Sequence, residues 1–109
     1  MTQKEFDKCK QDLDNLCKSI MKDKRPEYTN ENEDVLHNFK QIGERLNISP
    51  LKTWLVYTMK GFESIISHVN NANLKEAESI KSRFADLSNY TDIGYALYKE
   101  ERDVKKKNN

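Results

Sequence analysis

The sequence predicts an all-α fold, a single antiparallel four-helix bundle. Three observations carry this. Apolar residues recur at steps of three and four along most of the chain, the period of a helix with one buried face. No stretch alternates apolar and polar residues over the length of a strand, and no repeat of about 20 to 50 residues is present. Capping and breaking residues divide the periodic pattern into four segments whose short connections favour antiparallel neighbours.

The first segment runs from about Thr2 to Lys22, with Phe6, Cys9, Leu13, Leu16, Cys17 and Ile20 on one face and Lys, Asp and Gln opposite. Pro26 is expected to stop it, leaving DKRPEYTNEN as a polar loop. Asn30 with Glu33 three residues on fits an N-cap and its reciprocal acid, and Val35, Leu36, Phe39, Ile42 and Leu46 make the buried face of helix two. Ser49-Pro50 is the clearest punctuation. The serine oxygen can accept from a free helix N–H, and proline in the first helical position loses a donor that has no partner there.

Helix three then carries Leu51, Trp54, Leu55, Thr58, Phe62, Ile65, Ile66 and Val69 on its core face, with Val56, Tyr57 and Met59 making its other faces apolar too. It should be the most buried helix, or its excess should face a second subunit. The preferred expectation is a homo-oligomer, against a monomer that wraps the helix on all sides. Asn73 with Glu76 repeats the capping pattern for helix four, which carries Ala77, Ile80, Phe84, Leu87, Tyr90, Ile93 and Leu97 to Glu101 or beyond. Residues 1–101 thus form the bundle and 102–109 a polar basic tail.

Composition narrows function by exclusion. Of 109 residues, 36% are hydrophobic and 34% charged, so apolar side chains must be placed economically. Lys and Arg number 19 against 18 Asp and Glu, a net charge of +1 that argues against coating extended nucleic acid or an anionic membrane. Any anion site must be local. With no apolar run of spanning length and no apolar leader in MTQKEFDKCK, the expected location is cytoplasmic. Cys9 and Cys17, eight residues and about 12 Å apart along one helix, cannot bridge each other and read as buried reduced thiols. His37 and His68 are isolated, and no phosphate-binding glycine loop or nucleophile motif is present.

Several polar residues interrupt the pattern. Lys60 and Glu63 lie at i and i+3 on the most apolar helix, either as a surface pair or with Lys60 turned into a pocket, and Gly61 beside them admits close approach of a helix or ligand. Arg83, Asp86 and Tyr90 project from one side of helix four, with Asn89 adjacent. A guanidinium forks onto phosphate while an aromatic and an amide can hold a base or sugar; the alternative is a solvated Arg83–Asp86 pair. Lys24, Arg25 and Tyr28 repeat that chemistry before a helix N-terminus, where a flexible solvated loop is the alternative. The acids Glu31, Glu33 and Asp34 either complement a helix dipole or hold a hard cation such as Mg²⁺.

The order of Lys24-Arg25-Pro26-Glu27-Tyr28, Val35-Leu36-His37-Asn38-Phe39, Ile48-Ser49-Pro50, Lys60, and Arg83-Phe84-Ala85-Asp86 with Asn89-Tyr90 resembles small phage-encoded all-α proteins related to the MazG-like nucleoside triphosphate pyrophosphohydrolases. The resemblance spans about residues 24 to 98. It implies an oligomeric helical bundle with a nucleotide site between helices and subunits, in a host cytoplasm. MazG-like hydrolases resemble one another in paired acidic motifs that hold Mg²⁺ against a triphosphate. Here Arg83 stands where the later motif has its first acid, which favours direct phosphate capture over hydrolysis.

The expected function is therefore non-catalytic sequestration of a small nucleotide, linear or cyclic, of the phage counter-defence type. Lys24, Arg25, Lys60 and Arg83 would meet phosphate, Tyr28 and Tyr90 would stack, and Asn38, Asp86 and Asn89 would read sugar or base. Such a site needs no cofactor. The alternatives are a Mg²⁺-dependent pyrophosphohydrolase with Glu31, Asp34, Glu63 and Asp86 as ligands, and a helical module that binds another protein through helix three.

Overall fold

A computed structural model describes residues 1–29, 34–71 and 79–107, with backbone alone at 24–29. Four helices and no strand are found among them: α1 (Gln3–Thr29), α2 (His37–Leu46), α3 (Pro50–Asn70) and α4 (Ile80–Lys107). The all-α, four-helix expectation holds. None of these helices is long and apolar enough to cross a membrane.

Two helix ends differ from expectation. α1 does not stop at Pro26 but continues through Thr29, so Lys24, Arg25 and Tyr28 have helical backbone in place of a loop. Proline removes one donor, here the partner of the Lys22 carbonyl, and Lys22 is exposed, so water can take that acceptor. α4 likewise runs on to Lys107, its lysines Lys105, Lys106 and Lys107 lying in the last turn where cations complement the dipole. The Asn30–Glu33 and Asn73–Glu76 boxes lie outside the described residues.

Caps that are described follow local chemistry. At α3 the Ser49 side chain accepts from the Lys52 N–H at 3.1 Å with Pro50 in the first turn, as the sequence predicts. α2 begins at His37, and the Asp34 carboxylate accepts from the Leu36 N–H at 2.9 Å just before it. At its other end Asn47 adopts the left-handed conformation (φ 58°). The N–H groups of Asn47 and Ile48 return to the carbonyls of Glu44 and Gly43, the closing pattern that satisfies two terminal acceptors.

The packing order is not that of an up-and-down bundle. Asp12 pairs with Lys81, while Cys17 meets Ala85 and Asn89, so residue numbers rise together and α1 runs parallel to α4. α3 runs antiparallel to α4, since Trp54 lies against Tyr90 and Gly94 while Lys60, Gly61 and Ser64 share a groove with Arg83 and Asp86. Among the described residues α1 packs on α4 and α2, and α3 on α4 and α2, with no α1–α3 packing. Each helix thus has two neighbours in this order, and α4 carries the most buried positions among the described residues. α2, with 10 residues against 27, 21 and 28 in the others, is too short to run the length of a bundle.

This order corrects the expectation that α3 is the most buried helix. α3 buries only Thr53 and Ile65, whereas α4 buries Ala85, Asn89, Gly94 and Leu97. A helix packed on two sides needs small residues where its neighbours come close, and these leave little mark on hydropathy. Leu36, Phe39 and Leu97 form the core cluster, with Leu51, Trp54, Tyr90 and Ile93 against it. Each large side chain so buried stabilises the fold by about 1.5–3 kcal/mol.

α1 keeps its predicted stripe only in part. Leu13, Leu16, Cys17 and Ile20 are half-buried, but Phe6 and Cys9 are exposed. With Asp12 already opposite Lys81, near the first turn of α4, the earlier turns of α1 project past the start of that helix. Val35, Leu46, Leu55, Phe62, Val69 and Phe84, also expected inside, are exposed.

One ionic cluster ties α2 to the end of α4. Lys40 pairs with both Asp34 and Glu100. Its hydrogen bond to Lys40 holds the Asp34 carboxyl below the usual range. Burial alone would lower the Lys40 pKa, but its two carboxylate partners outweigh burial and raise it. A depressed carboxyl contributes stability above its unfolded pKa and loses it as pH falls through the folded value. Melting temperature should therefore drop as pH falls below about 4, where a free carboxyl gains its proton. Both groups are about a third exposed, so the contribution is on the order of 1 kcal/mol at most. Thermal melts followed by circular dichroism should show Lys40→Met losing part of that acid dependence; an identical pH profile would remove the pair from the stability account.

Candidate ligand-binding groove

Five of the residues singled out in the sequence meet. A groove of about 320 Å³ between α3 and α4 is lined by Tyr57, Lys60, Gly61, Ser64, Arg83, Asp86 and Tyr90. The α3 members follow helical spacing, at 57, 60, 61 and 64, and those of α4 do too, at 83, 86 and 90, so each helix presents one face. Antiparallel packing sets the two faces opposite one another.

The groove has a fixed aromatic end. Phe39 from α2 meets the Tyr57 ring edge-on at 6.0 Å and the Tyr90 ring edge-on at 6.5 Å. The Tyr90 backbone is held as well, because its carbonyl accepts from the Trp54 indole at 2.6 Å. Arg83 and Asp86 are half-buried on the same turn of α4, and each is engaged with neighbouring groups. Two cations and one carboxylate leave the lining with a local positive excess.

Gly61 is not there to admit a neighbouring helix. A Cβ built on it meets nothing within 4 Å, so its missing side chain opens the groove and has no packing role among the described atoms. Gly61→Ala should stabilise the protein by up to about 1 kcal/mol, the helix-interior difference between the two residues. Urea unfolding curves check this; a loss of stability would mean a neighbour fills the space.

Other candidates fall elsewhere. Asn89, expected beside Tyr90, faces α1: it is buried and its side-chain amide donates to the Cys17 carbonyl at 3.1 Å. Six residues round a helix is about 120° from Arg83, enough on a helix with two neighbours to pass from one to the other. Asn38 is half-buried at the start of α2 and does not line the groove. The side chains of Lys24, Arg25 and Tyr28, and the whole of Glu31, lie outside the described residues. Tyr57 and Ser64 were missed by the sequence reading; projecting the face of Lys60 one turn each way would have found them.

The acids proposed as metal ligands are dispersed. Asp34 is paired with Lys40, Glu63 is exposed and outside the groove lining, and Asp86 is the single carboxylate in it among the described residues. Among the described residues no three His, Cys, Asp or Glu side chains are grouped so as to hold a metal ion.

A second cleft, of about 460 Å³, lies between α1 and α4 and is lined by Asp14, Cys17, Lys18, Met21, Lys22, Asn89 and Asp92. Its two carboxylates and two lysines balance. Burial pushes the Cys17 thiol above its ordinary range, so it stays protonated and donates to the Ala85 carbonyl at 3.6 Å. Both polar contacts between Cys17 and α4 serve packing.

The chain matches no protein-family model, no curated protein and no solved structure.

Proposed function

We propose that the α3–α4 groove binds a small nucleotide and that the protein captures this ligand without turning it over. The observation that supports this is the meeting of Lys60 and Arg83 with Tyr57, Tyr90 and the open backbone at Gly61. A phosphate is attracted by the two cations, and the guanidinium can fork onto two of its oxygens. Tyrosine faces suit a base, and the Asp86 carboxylate suits hydroxyls of a sugar. A volume of about 320 Å³ falls at the small end of ligand pockets, room for a compact nucleotide and not for a polymer.

Capture is favoured over hydrolysis by the carboxylates. Metal-assisted attack on a polyphosphate draws on several acids around Mg²⁺, and among the described residues the groove lining contributes Asp86 alone. The resemblance of the Arg83–Tyr90 stretch to phage proteins related to MazG-like hydrolases supports the same ligand class. On that resemblance the protein would act in a host cytoplasm, where binding a nucleotide signal stoichiometrically would blunt a defence response.

The test is to incubate the protein with linear and cyclic nucleotides, with and without Mg²⁺, and to analyse the solution before and after heat denaturation. Intact nucleotide released only by heating is the expected result. Metal-dependent release of diphosphate would replace capture with pyrophosphohydrolysis. Neither retention nor turnover of any nucleotide would end the nucleotide reading.

A further inference from the structure

The cleft between α1 and α4 differs from the α3–α4 groove in the sign of its charges. The groove has an excess of cations, whereas the cleft sets Asp14 and Asp92 against Lys18 and Lys22. Asp14 stands four residues before Lys18, a spacing at which an acid and a lysine pair along a helix. Yet none of the four makes an ion pair among the described residues. Asp12 faces Lys81 and Cys17 faces Asn89, and the same register brings Asp92 abreast of Lys22.

Asn89 supplies a second observation. It is 7% exposed and lines the cleft. Its amide nitrogen donates to the Cys17 carbonyl, an atom that can only accept, so the two ends of the amide are told apart. The amide oxygen has no partner among the described residues. A buried acceptor of this kind takes its hydrogen bond from whatever occupies the space beside it. Half-buried Cys17 and Met21 add a soft apolar lining between the charges.

We infer that this cleft binds a free α-amino acid as its zwitterion, one with a long apolar side chain. The α-ammonium is held by the Asp92 carboxylate and the Asn89 amide oxygen. The α-carboxylate meets Lys22, with Lys18 one turn away, and the side chain lies along Met21 and Cys17. Charge selects this class. The two carboxylates repel a polyphosphate and the two lysines repel a polyamine, whereas a zwitterion gives each sign its opposite. A volume of about 460 Å³ lies within the roughly 300–1,000 Å³ of small-molecule sites and favours a long side chain over glycine. Cleft and groove face different neighbours of α4, so the inference stands independently of the groove's ligand.

Isothermal titration calorimetry with L-methionine, L-leucine and L-phenylalanine is the test, beside N-acetyl-L-leucine and L-leucine methyl ester, which each lack one charge. The free amino acids should bind, and each blocked form should bind at least about fivefold more weakly, a charge-assisted contact discounted for solvent. Asp92→Asn and Lys22→Met, both at exposed positions, should each weaken binding by a similar factor with the circular dichroism signal unchanged. Asp92→Lys should abolish binding, and adding Lys22→Asp to it should restore most of the affinity.

No heat from any free amino acid at millimolar concentration overturns the proposal and leaves the cleft to water. Blocked forms that bind as well as leucine overturn the zwitterion. Binding indifferent to both Asp92→Asn and Lys22→Met sets the amino acid elsewhere and overturns the site. Spermidine or a nucleotide that binds more tightly than any amino acid, and is sensitive to Asp92→Asn, assigns the cleft to another class and overturns the proposal as well.

Discussion

Gly94→Ala should destabilise the protein by about 2 kcal/mol or more and is expected to leave little folded protein at elevated temperature. A Cβ at that position would lie 2.3 Å from Trp54 Cζ2, 2.4 Å from Cε2 and 2.9 Å from Cη2. Those are atoms of the ring body, so no flexible end can swing aside. Nor is the indole free to withdraw, because its N–H donates to the Tyr90 carbonyl at 2.6 Å and the ring packs against the Leu36–Phe39–Leu97 cluster.

Forcing an extra methyl into a packed contact costs about 1–3 kcal/mol, and losing the indole hydrogen bond about 1 more. Against this stands the gain of about 1 kcal/mol for alanine over glycine in a helix. Overpacking wins at Gly94 and the helix propensity wins at Gly61, so the two glycine-to-alanine changes should have opposite signs. Trp54 is the one tryptophan, which lets its fluorescence report urea unfolding directly. A Gly94→Ala protein as stable as the parent would show that α3 and α4 do not meet at this distance. Adding Trp54→Leu should recover part of the loss by vacating the contact.

That contact also shows where sequence reasoning stops. Ser49-Pro50 was legible because a cap is decided by neighbours a few residues apart, and the α1 stripe from Leu13 to Ile20 because burial repeats with the helix. The burial along α4 was not legible. Its close approaches are made by Ala85 and Gly94, whose small size matters only once another helix is known to be there.

The direction of α1 was hidden for a related reason: a stripe says which residues face inward and nothing about which way the facing helix runs. Pro26 misled because a helix breaker costs energy without forbidding continuation, and an exposed carbonyl lowers that cost. In the groove, Lys60, Arg83, Asp86 and Tyr90 were chosen for chemistry and converge because α3 and α4 are antiparallel. Asn89 was chosen by adjacency and turned to α1.

Arg83→Ala should weaken nucleotide retention by roughly 10- to 150-fold. The basis is the roughly 1.5–3 kcal/mol carried by a hydrogen bond to a charged group, at 1.4 kcal/mol per tenfold. The groove is where that magnitude applies. Arg83 is half-buried beside Tyr90, whose position Phe39 and Trp54 fix, so less of its charge is screened than at an open surface.

Arg83→Lys separates charge from shape. An ammonium keeps the attraction but not the planar fork, and should fall between the parent and Arg83→Ala. Raising the salt concentration should weaken the parent more than Arg83→Ala, since the variant has one fewer cation to screen. Equilibrium dialysis with the best-retained nucleotide measures all three, and unchanged circular dichroism shows that the helices persist. If Arg83→Ala retains nucleotide like the parent, the ligand does not lie between α3 and α4, and the positive excess of that groove serves some other contact.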